Sequence, residues 1–405
     1  MTGRNFAVGT ILDNMPDLTK CRKKFMTHIF TLFLSIPGRI NFLQMGRYGK
    51  YSESSCRGNF EEFFDFSNFN TLLIQEIGSN HFVSAFDPSY MPKSGKHTHG
   101  LGKFWSGCAG AMKKGMEIGG FSVVDIGDHT AYHLDAIQTP TAAELKERDV
   151  TLLEYYGALV VQKAPDLLQF SRYLAVDAYF SRKPFIVNVC PTGLHIISRF
   201  RDDAKLFYIY KGPGTGKRGG PRKYDGKVNP KNIDKAYFSC CHEDEDCRIY
   251  DAIVYSKSLD RTVRIAYTEY LDENQNVGGY KIYFSTDLNL VAWYIVWYYK
   301  CRFQQEFLYR DGKQHTGLTD AQARGQHKLD FHFNTALSSV NVAKAKYWTS
   351  IEKDKRQSFS MTTVKTIEHN ELILSRFCEA FDIDPNTAHN NPKIKELIYF
   401  GAIAA

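Results

Sequence analysis

Tyr299, Arg302, Glu306 and Lys313 stand at relative positions 0, 3, 7 and 14 of one continuous run. At about 100° per residue on an α-helix, they fall within roughly 60° of one another around the axis. One helical face would then carry an aromatic ring, a guanidinium, a carboxylate and an ammonium. A carboxylate can hold a divalent metal, and the two cations can hold phosphate oxygens. The ring can stack on an unpaired base. That set of groups suits cutting DNA.

Two aspartates could join Glu306. Asp87 closes the hydrophobic run from His81 to Phe86, where Pro88 is expected to stop a strand. Asp177 lies near the C-terminal end of a second expected strand, from Leu174 to Phe180. Strand-end carboxylates, with a third from a helix, can hold two Mg²⁺ or Mn²⁺ ions about 3.5–4 Å apart. Such a pair serves both the attacking and the leaving oxygen of phosphoryl transfer. Taken singly, a strand-end aspartate is more often a turn or cap residue. Asp125, Asp128 and Asp135 compete for the first position, but the first two sit in or beside a hairpin turn. Asp87 is instead followed by Lys93-Ser-Gly-Lys96, a basic loop placed to approach a phosphate backbone.

The elements that must position these groups are legible in outline. Residues 1 to about 80 read as helical, with a buried-helix composition from Phe25 to Ile36 that Pro37-Gly38 ends. Two short helices around a Gly46–Gly49 turn fit a helix-turn-helix whose second member, from Ser52, offers Ser55, Arg57 and Asn59 to DNA. A plain helical hairpin fits equally well. From His81 the pattern becomes β-rich. Phe121–Asp125 and Thr130–Leu134 form a hairpin signal, Ala142–Lys163 a helical stretch, and Phe185–Val189 and Leu194–Arg199 further strands. Residues 204–283 alternate like strands and read as an insertion separate from the first sheet. Helical character returns at Leu288 and runs to the C-terminus.

Composition sets the remaining bounds. The 405 residues suffice for two to three domains, and 43% hydrophobic with 23% charged residues is ordinary globular usage. The apolar runs Phe25–Ile36 and Leu288–Tyr299 fall short of the roughly 20 residues a membrane span needs. No signal-peptide pattern opens the chain, so a cytoplasmic protein is expected. Nine cysteines without framework spacing argue for free thiols. The formal net charge is +7, and the segment Lys211–Lys235 alone carries six lysines and two arginines against two aspartates. That segment is either a solvated loop or a grip on a polyanion.

Tyr299, Arg302, Glu306 and Lys313 match the Y-x2-R-x3-E-x6-K signature of bacterial insertion-sequence DDE transposases, without a spacing error. Phe284–Asp287, Phe307–Arg310, Gln314–Leu318, Asp87-Pro-Ser-Tyr90 with its downstream Lys-Ser-Gly-Lys, and Val176–Phe180 also resemble this family. The resemblance covers roughly residues 81–345. It implies an α/β fold with an RNase H-like mixed sheet flanked by helices, in two halves (81–203 and 284–345) around the β-rich insertion 204–283. An N-terminal helical domain (1–80) and a C-terminal helical region (346–405) would flank it. The resemblance makes Asp87, Asp177 and Glu306 the catalytic, metal-binding acids, holding two Mg²⁺ or Mn²⁺ ions. It places Tyr299, Arg302 and Lys313 on the transposon end; Lys93 and Lys96 of the basic loop and Arg57 of the second short helix are expected as further DNA contacts. It implies double-stranded DNA partners (terminal inverted repeats and a target), a homodimer on DNA, and nucleoid association. An RNase H-like nuclease without strand transfer, or a non-catalytic DNA-binding relative, shares much of the same evidence. Gly312, just before Lys313, is expected to mark a helix end.

Three other features carry less. Gly212-Pro-Gly-Thr-Gly216-Lys217 has one residue too few between its outer glycines for a phosphate-binding loop, and Arg218 replaces the metal-holding hydroxyl. Cys240-Cys-His242 with Cys247 lacks paired zinc spacing and reads as a polar turn. Trp105 and Trp348 could stack on bases, but large aromatics are more often core.

Overall fold

The computed structural model describes residues 6–213, 222–349, 352, 359–384 and 391–403. The chain is mixed α/β. Five helices come first: α1 (Phe6–Asp13), α2 (Lys20–Ser35), α3 (Phe42–Tyr48), α4 (Glu53–Asn59) and α5 (Phe66–Ile77). Side-chain caps from Thr19, Asn41, Ser52 and Asp65 start α2 to α5 by accepting orphan backbone N–H groups.

Among the described residues, twelve strands then form one sheet. They are β1 (Phe82–Pro92), β2 (Gly102–Ser106), β3 (Ala111–Asp125), β4 (Thr130–Gln138), β5 (Tyr173–Ala175), β6 (His195–Arg199), β7 (Leu206–Ile209), β8 (Tyr224–Lys227), β9 (Ser239–Glu243), β10 (Cys247–Ser256), β11 (Arg261–Leu271) and β12 (Val277–Ser285). The spatial order is β2-β3-β1-β5-β6-β12-β11-β10-β7-β8, with β4 also on β3 and β9 on β10. Only the β1–β5 and β5–β6 pairs are parallel. The helices α6 (Ala142–Glu147) and α7 (Leu152–Leu168), each opened by a capping box, and α8 (Lys183–Val189) lie between β4 and β6 in the chain. After β12 come α9 (Ala292–Cys301), α10 (Gln304–His315), α11 (Gln326–Trp348), α12 (Met361–Ala380) and a short helix Pro392–Ile398. No helix among the described residues is long and apolar enough to cross a membrane.

Two sequence expectations change here. The run Phe185–Val189, expected as a strand, is the helix α8: Pro184 sits at its first turn, where its fixed φ favours helix, and Phe185, Ile186 and Val189 are buried. The segment 204–283 does not form a separate sheet. Its last strand, β12, hydrogen-bonds to β6 through Tyr283–Arg199, Phe284–Ser198 and Ser285–Ile197, so the ladder continues unbroken.

The long helix α11 holds the opposite edge. β4 pairs with β3 alone, so its outer backbone groups need other partners. Asn334 accepts from the Ala136 N–H and donates to the Ala136 carbonyl, both at 2.9 Å. Asn341 accepts from the His133 N–H at 2.8 Å and donates to its carbonyl at 2.7 Å. Lys344 donates to the Ala131 carbonyl at 2.6 Å. These three residues are seven and three apart, on one side of the helix, and replace a missing strand. On its other side α11 shares core with the N-terminal helices, through Phe331 against Phe60 and Phe66, and Phe33 against His332. Lys365 of α12 donates to the carbonyls of Phe33 and Ile36. The N-terminal helices thus pack on α11, and α12 packs on them.

Candidate active site

Register decides which face of the sheet carries the chemistry. Asp87 lies directly opposite Gly120 across the antiparallel β1–β3 pair, so both residues point to one face. The neighbouring Gly119 points to the other, where a Cβ would meet Phe86 and Leu159 of α7. At Gly120 a Cβ would run into the hydroxyl of Tyr309 on α10. So α7 and α10 cover opposite faces, and Asp87 belongs to the face under α10. Asp87 is inside β1 rather than at its end, contrary to expectation. β5 pairs with β1 only at Ser84 and Ala85. Beyond that point β1 has a ladder partner on one side, β3, and Pro88 is tolerated there.

Two of the three acids expected from the sequence meet at one guanidinium, and the third, Asp177, is near enough to act on Asp87. Arg302 lies 3.7 Å from an Asp87 carboxylate oxygen and 3.5 Å from one of Glu306. Asp177 lies two residues past the end of β5, because the expected strand stops at Ala175 rather than reaching Phe180. It caps the turn Ala178–Phe180 by accepting from the Tyr179 N–H, and is held through its carbonyl by the Ser198 hydroxyl at 2.9 Å. Burial pushes the Asp87 carboxyl up to about 7. The Arg302 charge opposes this rise, and the charges of Asp177 and Glu306 add to it. Glu117 also raises it but sits on the far face, where its carboxylate accepts the Tyr156 hydroxyl.

The helical stripe is not one continuous helix. The chain turns between Cys301 and Gln304, where Phe303, Gln305 and Glu306 donate to carbonyls three residues back rather than four. Tyr299 ends up on α9 while Glu306 and Lys313 are on α10, with Arg302 at the junction. The grouping survives because Arg302 lies over the Tyr299 ring at 5.6 Å and still reaches both acids. Tyr299 is half-buried against Tyr283. Gly312 does not end α10, which runs on to His315. It is buried because a Cβ there would press on Leu337 of α11 and on Leu318. Lys313 therefore stays on the helix, half-buried. Burial lowers its pKa, while the nearby Cys108 thiol and Asp87 raise it.

Sequence reasoning missed the groups that hold α10 in place. Gln305 donates to the Gly120 carbonyl at 2.9 Å, and the Tyr309 hydroxyl donates to the Asp87 carbonyl at 2.6 Å. The signal available was Gln305 and Tyr309 one helical turn apart, with the Gly119-Gly120 pair inside an apolar strand. Gly120→Ala should destabilise the fold by about 1–3 kcal/mol through overpacking. Removing the hydroxyl as well, in Gly120→Ala/Tyr309→Phe, should recover part of that loss in urea denaturation midpoints.

The remaining expected DNA contacts fare differently. Lys96 is exposed in its loop. Lys93 donates to the Ala321 carbonyl, so its ammonium is engaged within the fold. Arg57 pairs with Glu53 at 2.7 Å and lies over Phe42 at 4.6 Å. Lys223, Lys227, Lys231 and Lys235 of the basic segment are exposed, whereas Lys217, Arg218 and most of the Gly212–Lys217 run lie outside the described residues. Close to Asp177, a cleft of about 460 Å³ is lined by Arg182, Arg201, Lys205 and Lys257 with Asp203. Trp348 is core, but Trp105 is exposed.

Two groups invite a metal. Three carboxylates are hard oxygen donors suited to Mg²⁺ or Mn²⁺, and Asp87, raised first by burial and then by its acidic neighbours, would ionise more readily beside a cation. In this structure Arg302 is that cation, and the three acids stay too far apart to close on one ion: among the described residues, only His242, Asp244 and Cys247 bring three candidate ligand atoms within 4.8 Å. That second group reads as a turn. Asp244 accepts from the N–H groups of Asp246 and Cys247 and from His242, joining β9 to β10. The exposed Cys240 and Cys241 lie outside it. No protein-family model matches this chain, and no curated protein matches it.

Proposed function

We propose that this chain is a DDE transposase, which cuts DNA at the ends of a mobile element and joins them to a target. The observation that carries the reading is that Asp87 and Glu306 meet at Arg302 with Asp177 near enough to act on Asp87, from positions 90 and 129 residues apart in sequence. Tyr299 and Lys313, the other members of the four-residue signature, border the same centre. The strands β4, β3, β1, β5 and β6, covered by α7 and α10 on opposite faces, support an RNase H-like core. On that reading 204–283 is an elaboration of its β6 edge.

Two divalent ions, Mg²⁺ or Mn²⁺, would be held by Asp87, Asp177 and Glu306. When bound they would supply Lewis acidity toward the phosphodiester oxygens. The chain's own residues do the rest. Arg302 balances the acids and lies next to the place of the scissile phosphate. Lys313 brings a second cation, and Tyr299 offers a ring to an unpaired nucleotide. The cleft lined by Arg182, Arg201, Lys205 and Lys257, next to Asp177 in the chain, and the exposed lysines of 223–235 would offer cations to a DNA backbone. Exposed apolar side chains, Ile373 and Phe377 on α12 and Phe381 just past its end, offer surface for pairing two copies on two DNA ends.

The test is incubation with Mg²⁺ or Mn²⁺ and a duplex taken from the DNA bordering the gene, with a plasmid as target. Cleaved ends and joined products are expected, and Glu306→Gln should lose both by at least about 10³-fold. Cut ends without joined products would leave only a nuclease. Gel shifts without cutting would leave only a DNA-binding protein.

A further inference from the structure

Cys240, Cys241, His242 and Cys247 lack the paired spacing of a zinc motif, but the β9–β10 hairpin brings part of this set together by folding back. β9 ends at Glu243 and β10 begins at Cys247, leaving Asp244 to Asp246 as the connection. Asp244 and Cys247 close it. The Asp244 N–H donates to the Cys247 carbonyl at 3.0 Å, and the Cys247 N–H donates to one Asp244 carboxylate oxygen at 2.7 Å. The other Asp244 oxygen lies 2.8 Å from Nε2 of His242. An imidazole nitrogen, a carboxylate oxygen and a thiol sulfur thus lie within 4.8 Å of one another. Tetrahedral zinc, with bonds of about 2.0–2.3 Å, spaces such donors roughly 3.3–3.6 Å apart, so side-chain movements of about 1 Å would close the set.

The turn is held from outside as well. The Asp246 carbonyl accepts the Leu271 N–H at 2.8 Å, and the Glu245 carbonyl accepts the Gln275 side-chain amide at 3.2 Å. Cys247 is buried, and the His242 ring lies 4.4 Å from the Trp293 ring on α9. Sulfur and imidazole therefore stand toward the helix that carries Tyr299, while the exposed Asp244 leaves the entry side open. Cys240 and Cys241 are engaged elsewhere, with the carbonyls of His242 and Ile249 at 3.5 and 3.3 Å. A thiolate and an imidazole select zinc over Mg²⁺ or Mn²⁺, whereas the acid centre offers carboxylate oxygens alone.

We propose that His242, Asp244 and Cys247 form a zinc site, distinct from the acid centre, with water in the fourth position. Zn²⁺ takes the place of the hydrogen bond between His242 and Asp244, and the Cys247 thiol releases its proton to solvent as it ligates. The site acts as a clamp that fixes the His242 ring, and with it the β9–β10 turn, against α9. The inference is independent of the DNA reading, since no group of the acid centre takes part in it.

The experiment needs no catalysis. The full-length protein, freed of metal and kept reduced, is titrated with Co²⁺, whose bond to a thiolate gives a near-ultraviolet charge-transfer band that oxygen donors do not give. Wild type should develop the band, Zn²⁺ should abolish it, and an about thousandfold excess of Mg²⁺ should leave it. Cys247→Ser should lose the band. His242→Ala and Asp244→Asn should weaken Co²⁺ binding by at least about 100-fold, beyond the usual cost of losing an outer partner of a ligand. Asp244→Asn keeps an oxygen for the Cys247 N–H, so the turn itself survives. Cys240→Ala, Cys241→Ala and Glu306→Gln should keep the band. No band in wild type, a band that survives Cys247→Ser, wild-type affinity in both His242→Ala and Asp244→Asn, or a band lost in Cys240→Ala or Cys241→Ala would overturn the proposal. Absent DNA cleavage by wild type, with the band intact, would instead overturn the transposase reading alone.

Discussion

Asp87→Asn should leave the metal-free protein more stable than wild type above pH 7 while reducing DNA cleavage by at least about 10³-fold. The stability half comes from a carboxyl that burial and three neighbouring acids push up to about 7, and the cleavage half from its proposed role in holding the ions. In the unfolded chain the same group ionises near its ordinary value of about 3.8. Below that value both states are protonated, and Asp87 contributes its full share of stability. Between about 4 and 7 the folded state keeps a proton that the unfolded chain has released, so stability falls as pH rises. Above 7 the loss is complete. It amounts to roughly 2–4 kcal/mol once the water reaching its partly exposed side chain is allowed for. An asparagine has no such loss and keeps a similar shape.

The measurement is a pair of urea denaturation curves at pH 5 and pH 8 in EDTA, for wild type and Asp87→Asn. The variant's advantage should be present at pH 8 and small at pH 5. A variant less stable than wild type at pH 8 would show that the Arg302 contact at 3.7 Å outweighs the burial of the carboxylate. Strain stored at a functional position is the usual reason for a residue whose removal stabilises a fold.

How much of this was legible beforehand differs from residue to residue. The proximity of Asp87, Glu306, Tyr299 and Arg302 could be anticipated because side-chain identity and spacing survive in one dimension. The fit of Asp87 within β1 could not, since a proline after an aspartate reads as a strand stop. Only the short reach of β5 along β1 explains why Pro88 is accommodated. The turn at Arg302 was hidden because no Gly or Pro marks it: Cys301-Arg-Phe-Gln304 breaks the ladder with helical dihedrals throughout. Gly312 misled in the opposite direction. A glycine late in a helix looks like an end, yet here it is needed for close approach to Leu337 of α11. Phe185–Val189 is apolar enough for either a buried strand or a buried helix, and periodicity over so few residues cannot separate the two. Trp105 was discounted because large aromatics are more often core, yet it is exposed. Edge backbone satisfied by Asn334, Asn341 and Lys344 is invisible without knowing that β4 has one neighbour.

Divalent ions should matter most where Asp87 has lost its proton, and that gives the second large effect. EDTA should abolish cleavage, with recovery by Mg²⁺ or Mn²⁺. Recovered activity should rise steeply up to about pH 7 and level off above it, because an ion must compete with the proton that Asp87 retains below that value. The same competition fixes a readout that needs no DNA. At pH 8, Mn²⁺ at about one hundred times its dissociation constant should stabilise the fold by about 2.7 kcal/mol, seen as a rise of a few degrees in Tm. At pH 5.5 the rise should nearly vanish, and in Asp87→Asn it should be small at both values. Arg302 sharpens the expectation, since its guanidinium already occupies the space between Asp87 and Glu306. Replacing it with alanine removes the internal counter-ion. The Mn²⁺-induced rise at pH 8 should then be larger than in wild type, even as cleavage falls with the loss of a phosphate contact. If Arg302→Ala instead abolished the Mn²⁺ response, the guanidinium would be a support that holds the acids in place, and the view of it as a stand-in for bound cations would fail.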